Sequence, residues 1–327
     1  MIEGHGDDLY RYNHIKMNFS SNIFNGTDMS ALKDYLCSCL DVVRSYPEPS
    51  AATLEQLIAD ECGIRPDEVL VTSGAVDAIY LIAQAYRHEG TCHVIQPTFR
   101  EYEDACRVFG YQERDGGVLC WLCNPNNPTG SVMPVEDVLA LADQYGLLVV
   151  DQSYEDYTMA PLLAPADVIV RGNIILLHSM TKRFAVPGLR LGYVTASSQV
   201  IKRLRDQYRP WAINALSLEA GKWLVTQGKT AIPDLPSYLA ETERLRLQLN
   251  EIEGIDTQDT QTNFFLCTIR QSTAAELKEY LAQEHGILIR DASNFTGLTL
   301  HHFRIATQSP AENDALIHAV NQFITTR

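Results

Sequence analysis

The 327-residue chain contains little positive charge and no long apolar run. Its 26 lysines and arginines stand against 41 aspartates and glutamates, which gives a formal net charge of −15. A surface of that sign repels phosphates, so nucleic acid is not an expected partner, although a local cationic pocket can still bind a small anion. Crossing a bilayer takes roughly 20 apolar residues in a row, and the N-terminus lacks the apolar block of a signal peptide. We therefore expect a cytoplasmic protein without a membrane partner.

The motifs that bind nucleotides and structural metals are also missing. Neither G-x-G-x-x-G nor a Walker-type loop occurs, so a nucleotide is not the expected ligand. Of the eight cysteines, Cys120 and Cys123 form a C-x-x-C pair, but it lies in the apolar run "VLCWLCNP" without a second ligand pair nearby. A zinc site needs further ligands, so we expect buried, reduced thiols and no metal.

Apolar segments alternate with amphipathic helical patterns from residue 68 to residue 196. For example, "EVLVTSG" precedes "AVDAIYLIAQAYRH", and "PVEDVLALADQYG" precedes "LLVVDQSY". This alternation predicts an α/β fold with a mostly parallel sheet that is covered by helices on both faces. Beyond Ile201 helical patterns dominate and the short strands "NFFLCTI" and "HHFRIAT" appear, which predicts a smaller α+β domain at the C-terminus.

Polar residues follow five of the predicted strands, at the edge where an open α/β sheet binds its ligand. Turns in any protein are rich in serine, asparagine and glycine. That tendency does not explain an aspartate at a strand end, or an arginine eight positions after a lysine. We therefore expect one site built from five strand ends, at residues 72–74, 97–99, 124–130, 151–154 and 179–182.

The first of these strand ends is suited to an anion. Ser73, Gly74 and Ala75 open a helix, whose backbone N–H groups and dipole attract negative charge. Ser179 and Arg190 can add a hydroxyl donor and a guanidinium. The site is thus expected to hold a ligand that carries a phosphate.

A lysine and an aspartate narrow the choice of ligand. The amine of Lys182, held beside cations and away from bulk water, can add to an aldehyde and form a Schiff base. A buried Asp151 can keep a pyridine nitrogen protonated, so that the ring accepts electrons. Phosphate, aldehyde and pyridine together predict pyridoxal 5′-phosphate. Phe99 would stack on its ring, and Asn127 and Tyr154 would hydrogen-bond its phenolic oxygen.

Three strings of the sequence carry a resemblance to a known family. "NPNNPTG" (124–130), "VVDQSY" (149–154) and "SMTKRFAVPGLRLGY" (179–193) resemble the fold-type-I pyridoxal-phosphate enzymes of the aspartate aminotransferase superfamily. The third string matches S-x-T-K-x-F-x-x-P-G-L-R-x-G-Y, which is far more specific than a single glycine motif. The resemblance covers nearly the whole chain and implies a three-layer α/β/α large domain with a smaller α+β C-terminal domain.

The resemblance implies three segments, namely an arm and helix at 1–47, a cofactor-binding domain at 48–225 and a small domain at 226–327. Lys182, Asp151 and Tyr154 would be the catalytic residues. A homodimer with shared active sites is also implied, in which Tyr46 of "SYPEP" reaches the neighbour's cofactor phosphate. The implied cofactor-binding set is Tyr46, Ser73, Gly74, Ala75, Phe99, Asn127, Asp151, Tyr154, Ser179, Lys182 and Arg190.

Two subgroups of this family carry both "YP-x-P" and "NPNNPTG", the histidinol-phosphate aminotransferases and the L-threonine-O-3-phosphate decarboxylases. "IRDASNFTGL" (289–298), "GHGDD" (4–8) and "NFSSNI" (18–23) are similar to the decarboxylase patterns R-D-C-S-N-F-x-G-L, H-G-G and F-S-A-N-I, with departures at Ala292 and Asp7. The resemblance thus implies a small phosphorylated amino acid as substrate, contacted by Arg304, Arg290, His5 and Ser21.

The reaction that this resemblance favours is the decarboxylation of L-threonine O-3-phosphate to (R)-1-amino-2-propanol O-phosphate, a step of cobalamin biosynthesis. The alternative is amino transfer by a histidinol-phosphate aminotransferase or another class I/II aminotransferase. The same residues serve both reactions, because the outcome depends on which bond of the α-carbon stands perpendicular to the cofactor ring. The sequence leaves that choice open.

Overall fold

The computed structural model describes residues 8–228, 230–232 and 234–326 of the chain. His5, a predicted substrate contact, lies outside these ranges.

The α-helices of the described chain are α1 (Ser30–Ser38), α2 (Ala52–Cys62), α3 (Ala75–Ala85), α4 (Glu101–Val108), α5 (Val135–Ala142), α6 (Pro165–Arg171), α7 (Met180–Arg183), α8 (Ser198–Arg205), α9 (Ala215–Gln227), α10 (Leu235–Asn250), α11 (Ala274–Tyr280) and α12 (Pro310–Thr325). The strands are β1 (Met17–Asn18), β2 (Val69–Thr72), β3 (Thr91–Val94), β4 (Gln112–Glu113), β5 (Leu119–Cys123), β6 (Leu147–Asp151), β7 (Ile174–His178), β8 (Gly192–Thr195), β9 (Ile255–Thr257), β10 (Phe264–Ile269), β11 (Ile287–Leu288), β12 (Arg290–Asp291) and β13 (His302–Ala306).

The main sheet has seven strands in the order β2-β8-β7-β6-β5-β3-β4. The pairs β7–β6, β6–β5, β5–β3 and β3–β4 are parallel, whereas β8 is antiparallel to both β2 and β7. Every residue of β5, β6 and β7 is buried, as expected for parallel strands that helices cover on both faces. The predicted α/β fold with a mostly parallel sheet is confirmed.

A second, antiparallel sheet in the order β12-β13-β10-β9 lies in the C-terminal part of the chain. Helices α10, α11 and α12 supply apolar side chains to the core around this sheet. The N-terminal arm joins the same core, because β1 pairs in parallel with β11 and Phe19 is fully buried there. The predicted boundaries after residues 47 and 225 stay predictions, and residues 17–19 pack with the C-terminal unit.

Local sequence signals account for several element ends. Gly63 has a φ of +66° and ends α2 in the left-handed conformation that favours glycine. Thr273 and Ser309 begin α11 and α12 with capping boxes, in which side chain and backbone bond reciprocally. Cys120 and Cys123 are buried, free thiols. Over the described ranges, no helix combines the length and the apolar character needed to traverse a membrane.

Candidate active site

A cleft of about 480 Å³ lies at the carboxyl ends of the main-sheet strands, where side chains from the C-terminal sheet also enter. Parallel strands end at the same edge of a sheet, so residues that are distant in sequence meet there. The cleft is lined by eleven of the residues that the sequence predicts at the site: Ser21, Ala75, Phe99, Asn127, Asp151, Tyr154, Ser179, Lys182, Arg190, Arg290 and Arg304.

The lining of this cleft is strongly cationic, although the whole chain has a net charge of −15. A local cationic field attracts a small anion whatever the mean surface charge. The cleft therefore suits a ligand with several anionic groups. Within the described part of the chain, the charged residues that line it are Arg100, Lys182, Arg190, Arg290, Arg304 and Asp151.

Lys182 lies on α7, the four-residue helix that directly follows β7. Its Nζ donates a hydrogen bond to the backbone carbonyl of Ser21 at 2.6 Å and lies 5.6 Å from the centre of the Tyr154 ring. The Tyr157 hydroxyl donates to the Lys182 carbonyl at 2.9 Å, which fixes the turn that carries the lysine. The amine is therefore held in the cleft, within reach of a bound ligand.

Asp151 ends β6 and is only 4% exposed. Its Oδ2 accepts a hydrogen bond from the Tyr102 hydroxyl at 2.7 Å, and its Oδ1 accepts from the backbone N–H of Ser153 at 2.8 Å. Burial raises the pKa of the Asp151 carboxyl, whereas the hydrogen bonds from Ser153 and Tyr102 lower it. Asp151 is thus a buried carboxyl group whose direction two donors fix.

Tyr154 and Asn127 follow the ends of β6 and β5 and lie together in the cleft. The Tyr154 hydroxyl accepts a hydrogen bond from Nδ2 of Asn22 at 3.3 Å, and burial raises the pKa of Tyr154 to about 12. Oδ1 of Asn127 accepts a hydrogen bond from the Arg304 guanidinium. Both residues thus present polar groups to the cleft at fixed positions.

A glycine and an arginine form a cradle at the start of α3. Gly74 has a φ of +85°, and a Cβ built on it would lie 2.7 Å from Nη2 of Arg190. Because that approach is too close, a larger side chain at position 74 would displace the guanidinium. The N-terminus of an 11-residue helix and a guanidinium thus meet at one point, and both bind phosphate well.

Arg290 and Arg304 are directly opposite each other on β12 and β13. They are 9% and 5% exposed. Arg304 donates hydrogen bonds to Asn127 Oδ1 and to the Ser20 carbonyl, and Arg290 donates to Asn294 Oδ1 at 2.9 Å. Opposed residues of an antiparallel pair project from the same face of the sheet, so the two guanidinium groups enter the cleft side by side.

Comparison with known proteins identifies the family. The model for "Aminotransferase class I and II" matches residues 111–320 of the chain. The chain belongs to this family.

Relatives of two activities stand at similar distances from this member of the aminotransferase class I and II family. Histidinol-phosphate aminotransferase from Caldanaerobacter subterraneus subsp. tengcongensis is 29% identical, over 92% of this chain and 92% of its own length. Threonine-phosphate decarboxylase from Salmonella typhimurium is 27% identical, over 94% of this chain and 91% of its own length. Among solved structures, L-threonine-O-3-phosphate decarboxylase from Porphyromonas gingivalis has a TM-score of 0.90 and 36% identity, covering 95% of this chain and 100% of that chain.

Pyridoxal 5′-phosphate is the cofactor of the aminotransferase class I and II family. The residues of the cleft fit it. The cradle of Gly74 and Arg190 suits its phosphate, the Lys182 amine suits its aldehyde, and the buried carboxyl of Asp151 suits its ring nitrogen. The phosphate, the aldehyde and the ring nitrogen of the cofactor thus have matching partners at one cleft. The predicted cofactor is confirmed.

Three predicted cofactor residues are not among those that line the cleft. The backbone N–H of Ser73 donates to Oδ2 of Asp77 at 2.9 Å, and Gly74 shapes the cradle beside Arg190. Tyr46 is 88% exposed, and its ring centre lies 5.6 Å from that of Trp211. The predicted contact of Tyr46 with a neighbour's cofactor therefore stays a prediction.

Several polar residues at the cleft are not predicted from the sequence. Tyr102 and Asn294 line the cleft, and Asn22 donates to Tyr154. Tyr102 lies about one helical turn after Phe99, so a helix that starts at this strand end could have indicated it. Asn22 and Asn294 lie on irregular segments, where no residue spacing predicts which way a side chain faces.

Proposed function

We propose that this enzyme is a pyridoxal-phosphate-dependent carboxy-lyase that converts L-threonine O-3-phosphate into carbon dioxide and (R)-1-amino-2-propanol O-phosphate, in cobalamin biosynthesis. The observation that carries the proposal is the pair of buried guanidinium groups of Arg290 and Arg304, which enter the same cleft as Lys182 and Asp151. Two cations side by side match a short amino acid with one carboxylate and one phosphate. The 36% identity to a solved L-threonine-O-3-phosphate decarboxylase supports the same substrate.

The residues proposed to contact the cofactor have different roles. Lys182 would hold the cofactor covalently, release it to the substrate amine, and deliver a proton to the α-carbon in place of the lost carboxylate. Asp151 holds a proton on the ring nitrogen, and Tyr154 and Asn127 bind the phenolic oxygen. The bound cofactor supplies an aldehyde for the substrate amine and a protonated ring that accepts electrons.

The remaining cofactor contacts are proposed from their places around the ring and the phosphate. Phe99 stacks on the ring, since it lies in the cleft and packs edge-to-face against Tyr102. The phosphate binds at the start of the α3 helix and at the end of β7. Its proposed contacts are Ser73, Gly74, Ala75, Ser179 and Arg190.

The residues of the substrate end bind and orient the substrate. Arg304 binds its carboxylate, and Arg290 binds its phosphate, with Ser21 as a further contact. The contact of His5 stays a prediction from the sequence. Orientation decides the reaction, because the bond that breaks must lie perpendicular to the cofactor ring. Two fixed guanidinium groups can hold both ends of so short a molecule and thereby set that angle.

We also propose a cytoplasmic homodimer with shared active sites. Tyr46 supports this proposal, since its ring is 88% exposed and free of the cleft of its own chain. In the dimer it would contact the cofactor phosphate of the neighbouring copy. Sedimentation or light scattering of the purified protein measures the mass directly, and a monomer would contradict shared sites.

Amino transfer on histidinol phosphate is the second candidate, favoured by the relative that is 29% identical over 92% of this chain. Its co-substrate 2-oxoglutarate carries two carboxylates, so the arginine pair fits that reaction as well. In this case Lys182 removes the α-proton rather than delivering a proton after loss of the carboxylate.

A pair of assays separates the two candidates. Purified protein loaded with the cofactor is supplied with O-phospho-L-threonine while carbon dioxide is measured, and separately with histidinol phosphate and 2-oxoglutarate while glutamate is measured. Our proposal expects carbon dioxide in the first assay and little glutamate in the second. L-Threonine without its phosphate serves as the control, and we expect at least about a tenfold lower kcat/KM for it because the phosphate contact is worth about 1.4 kcal/mol or more. Glutamate without carbon dioxide would reject the decarboxylase.

A further inference from the structure

Tyr102 connects two side chains that face the cofactor. It lies in the first turn of α4 and is fully buried beneath the cleft. Its hydroxyl donates to Asp151 Oδ2 at 2.7 Å. Its ring packs edge-to-face against Phe99, with ring centres 5.8 Å apart and an interplanar angle of 84°. One residue therefore contacts both the proposed partner of the ring nitrogen and the proposed stacking side chain.

The position of Tyr102 is fixed by its own packing. Its ring stacks on Trp121 of β5, with ring centres 5.4 Å apart and an interplanar angle of 15°. Trp121 is fully buried in the same core. The hydroxyl thus keeps its direction toward Asp151 because the ring that carries it cannot rotate away without breaking that stack.

The surroundings of Asp151 make this hydrogen bond important. The titratable groups that face the carboxyl are Tyr102 from α4, Cys123 from β5, Tyr154 after β6 and His178 from β7. His178 is engaged elsewhere, with Nδ1 at 2.9 Å from Glu155 Oε1 and Nε2 at 3.0 Å from Thr195 Oγ1. The side-chain donors to the Asp151 carboxylate include the Tyr102 hydroxyl, which lies 2.7 Å from Oδ2, and the side chain of Ser153.

We propose that Tyr102 is a positioning residue that makes the Asp151 carboxylate a weaker base and aims it at the cofactor. A proton shared between this carboxylate and the ring nitrogen then stays on the nitrogen, where the reaction needs it. In this proposal Tyr102 acts through Asp151. The inference rests on the role that the proposed function gives to Asp151, but it holds for decarboxylation and for amino transfer alike.

The direction of the effect follows from the burial of the carboxyl. Burial already raises the pKa of Asp151, and the Tyr102 hydrogen bond is among the contacts that lower it. Removing the hydroxyl therefore raises this pKa further, which moves the shared proton from the ring nitrogen toward the carboxylate. A ring without that positive charge accepts electrons less well, so kcat falls while substrate binding is retained.

The test is Tyr102→Phe in the cofactor-loaded enzyme, because phenylalanine keeps the stack on Trp121 and the contact with Phe99. We expect kcat to fall about 10- to 100-fold, the effect of one hydrogen bond to a charged group, and KM to change by less than about threefold. The ¹⁵N NMR signal of a labelled cofactor ring nitrogen should shift from the protonated toward the unprotonated position. Thermal unfolding of the variant shows whether it remains folded.

Tyr80→Phe is the matched control. Its hydroxyl donates to Glu101 Oε2 at 3.0 Å, so the variant loses the same kind of tyrosine–carboxylate contact between two residues that do not line the cleft. We expect its kcat and its ¹⁵N signal to equal those of the parent enzyme.

An unchanged ring-nitrogen signal in Tyr102→Phe would overturn the inference, even if stability or activity falls, since it would leave Tyr102 a packing role only. The kinetic comparison uses whichever substrate the parent enzyme turns over. Turnover of histidinol phosphate alone would refute the proposed decarboxylation, whereas the nitrogen signal would still decide the role of Tyr102.

Discussion

The two ends of the cleft are built in different ways. The cofactor end comes from one continuous β/α segment, residues 72–190, in which most functional side chains lie at or just after the end of a strand. The substrate end combines an N-terminal segment at 20–22 with β12 and β13, more than 260 residues later. The first is positioned by local strand–turn geometry, and the second by the packing of the arm and the C-terminal sheet.

The arginines of the substrate end also differ from those on the surface. Arg270 and Arg244 donate to the carboxylates of Asp256 and Glu241. Arg304, in contrast, donates to an asparagine oxygen and a backbone carbonyl. These two acceptors orient the guanidinium of Arg304 at the cleft. We propose that residues of the cofactor end serve the chemistry and residues of the substrate end recognise anions, and substitutions can test that division.

The largest effect is expected at the cofactor end, from Lys182→Ala. Loss of the amine removes the covalent link to the cofactor and the proposed proton donor, so activity should fall at least about a thousandfold, or about 4 kcal/mol. Borohydride reduction followed by mass spectrometry should find the cofactor on residue 182 of the parent enzyme and not in the variant.

Lys202→Ala is the control for this change, because Lys202 is exposed on α8 and pairs with Asp206 at 3.0 Å. It should keep both the attached cofactor and full activity. A cofactor that remains covalently attached in Lys182→Ala would contradict the assignment of the cofactor end.

An intermediate effect is expected at the substrate end, from Arg304→Lys. Lysine keeps the charge but cannot reproduce the fork of donors that reaches Asn127 and Ser20, and the site is 5% exposed. We expect kcat/KM to fall about 30- to 100-fold, or about 2 to 3 kcal/mol, mainly through KM. Steady-state kinetics measure this, and the cofactor absorbance should stay unchanged.

Arg270→Lys, in an exposed pair with Asp256, provides the comparison and should be near neutral. A fall in kcat for Arg304→Lys with KM unchanged would show that the substrate end takes part in the chemistry and not only in binding.

The smallest effect is expected where the loop at residues 294–296 contacts α4. The exposed Thr296, on the loop that carries Asn294 and Phe295, donates its hydroxyl hydrogen to the carboxylate of Glu103 on α4, with Oγ1 3.1 Å from both carboxylate oxygens. Thr296→Val removes this contact without a change of shape. Because exposed contacts are worth about 0.5 to 1 kcal/mol, KM should rise about two- to fivefold with kcat unchanged. Thr296→Ser keeps the hydroxyl and should behave as the parent enzyme. Equal KM values for the two variants would show that the hydrogen bond to Glu103 does not affect substrate binding.

Local spacing made the cofactor end predictable. Strand periodicity places Asp151 and Lys182 at strand ends, and the carboxyl ends of parallel strands converge whatever the rest of the chain does. The position of β8, antiparallel within the sheet, did not follow from its own residues, since strand direction depends on the connections and the packing around it.

The sequence by itself determined the α/β fold, the pyridoxal-phosphate cofactor and the strand ends that surround it, because periodicity and turn chemistry act over a few residues. Only the tertiary structure decided that Arg290 stands opposite Arg304, that the Ser20 carbonyl receives the guanidinium of Arg304, and that Tyr102 holds Asp151. Arg290 and Arg304 are 14 positions apart, and Ser20 and Arg304 are 284 positions apart. The contact of Tyr102 depends on how α4 packs on the sheet. Such long-range register is set by burial of apolar surface in the whole core, which no short stretch of sequence specifies.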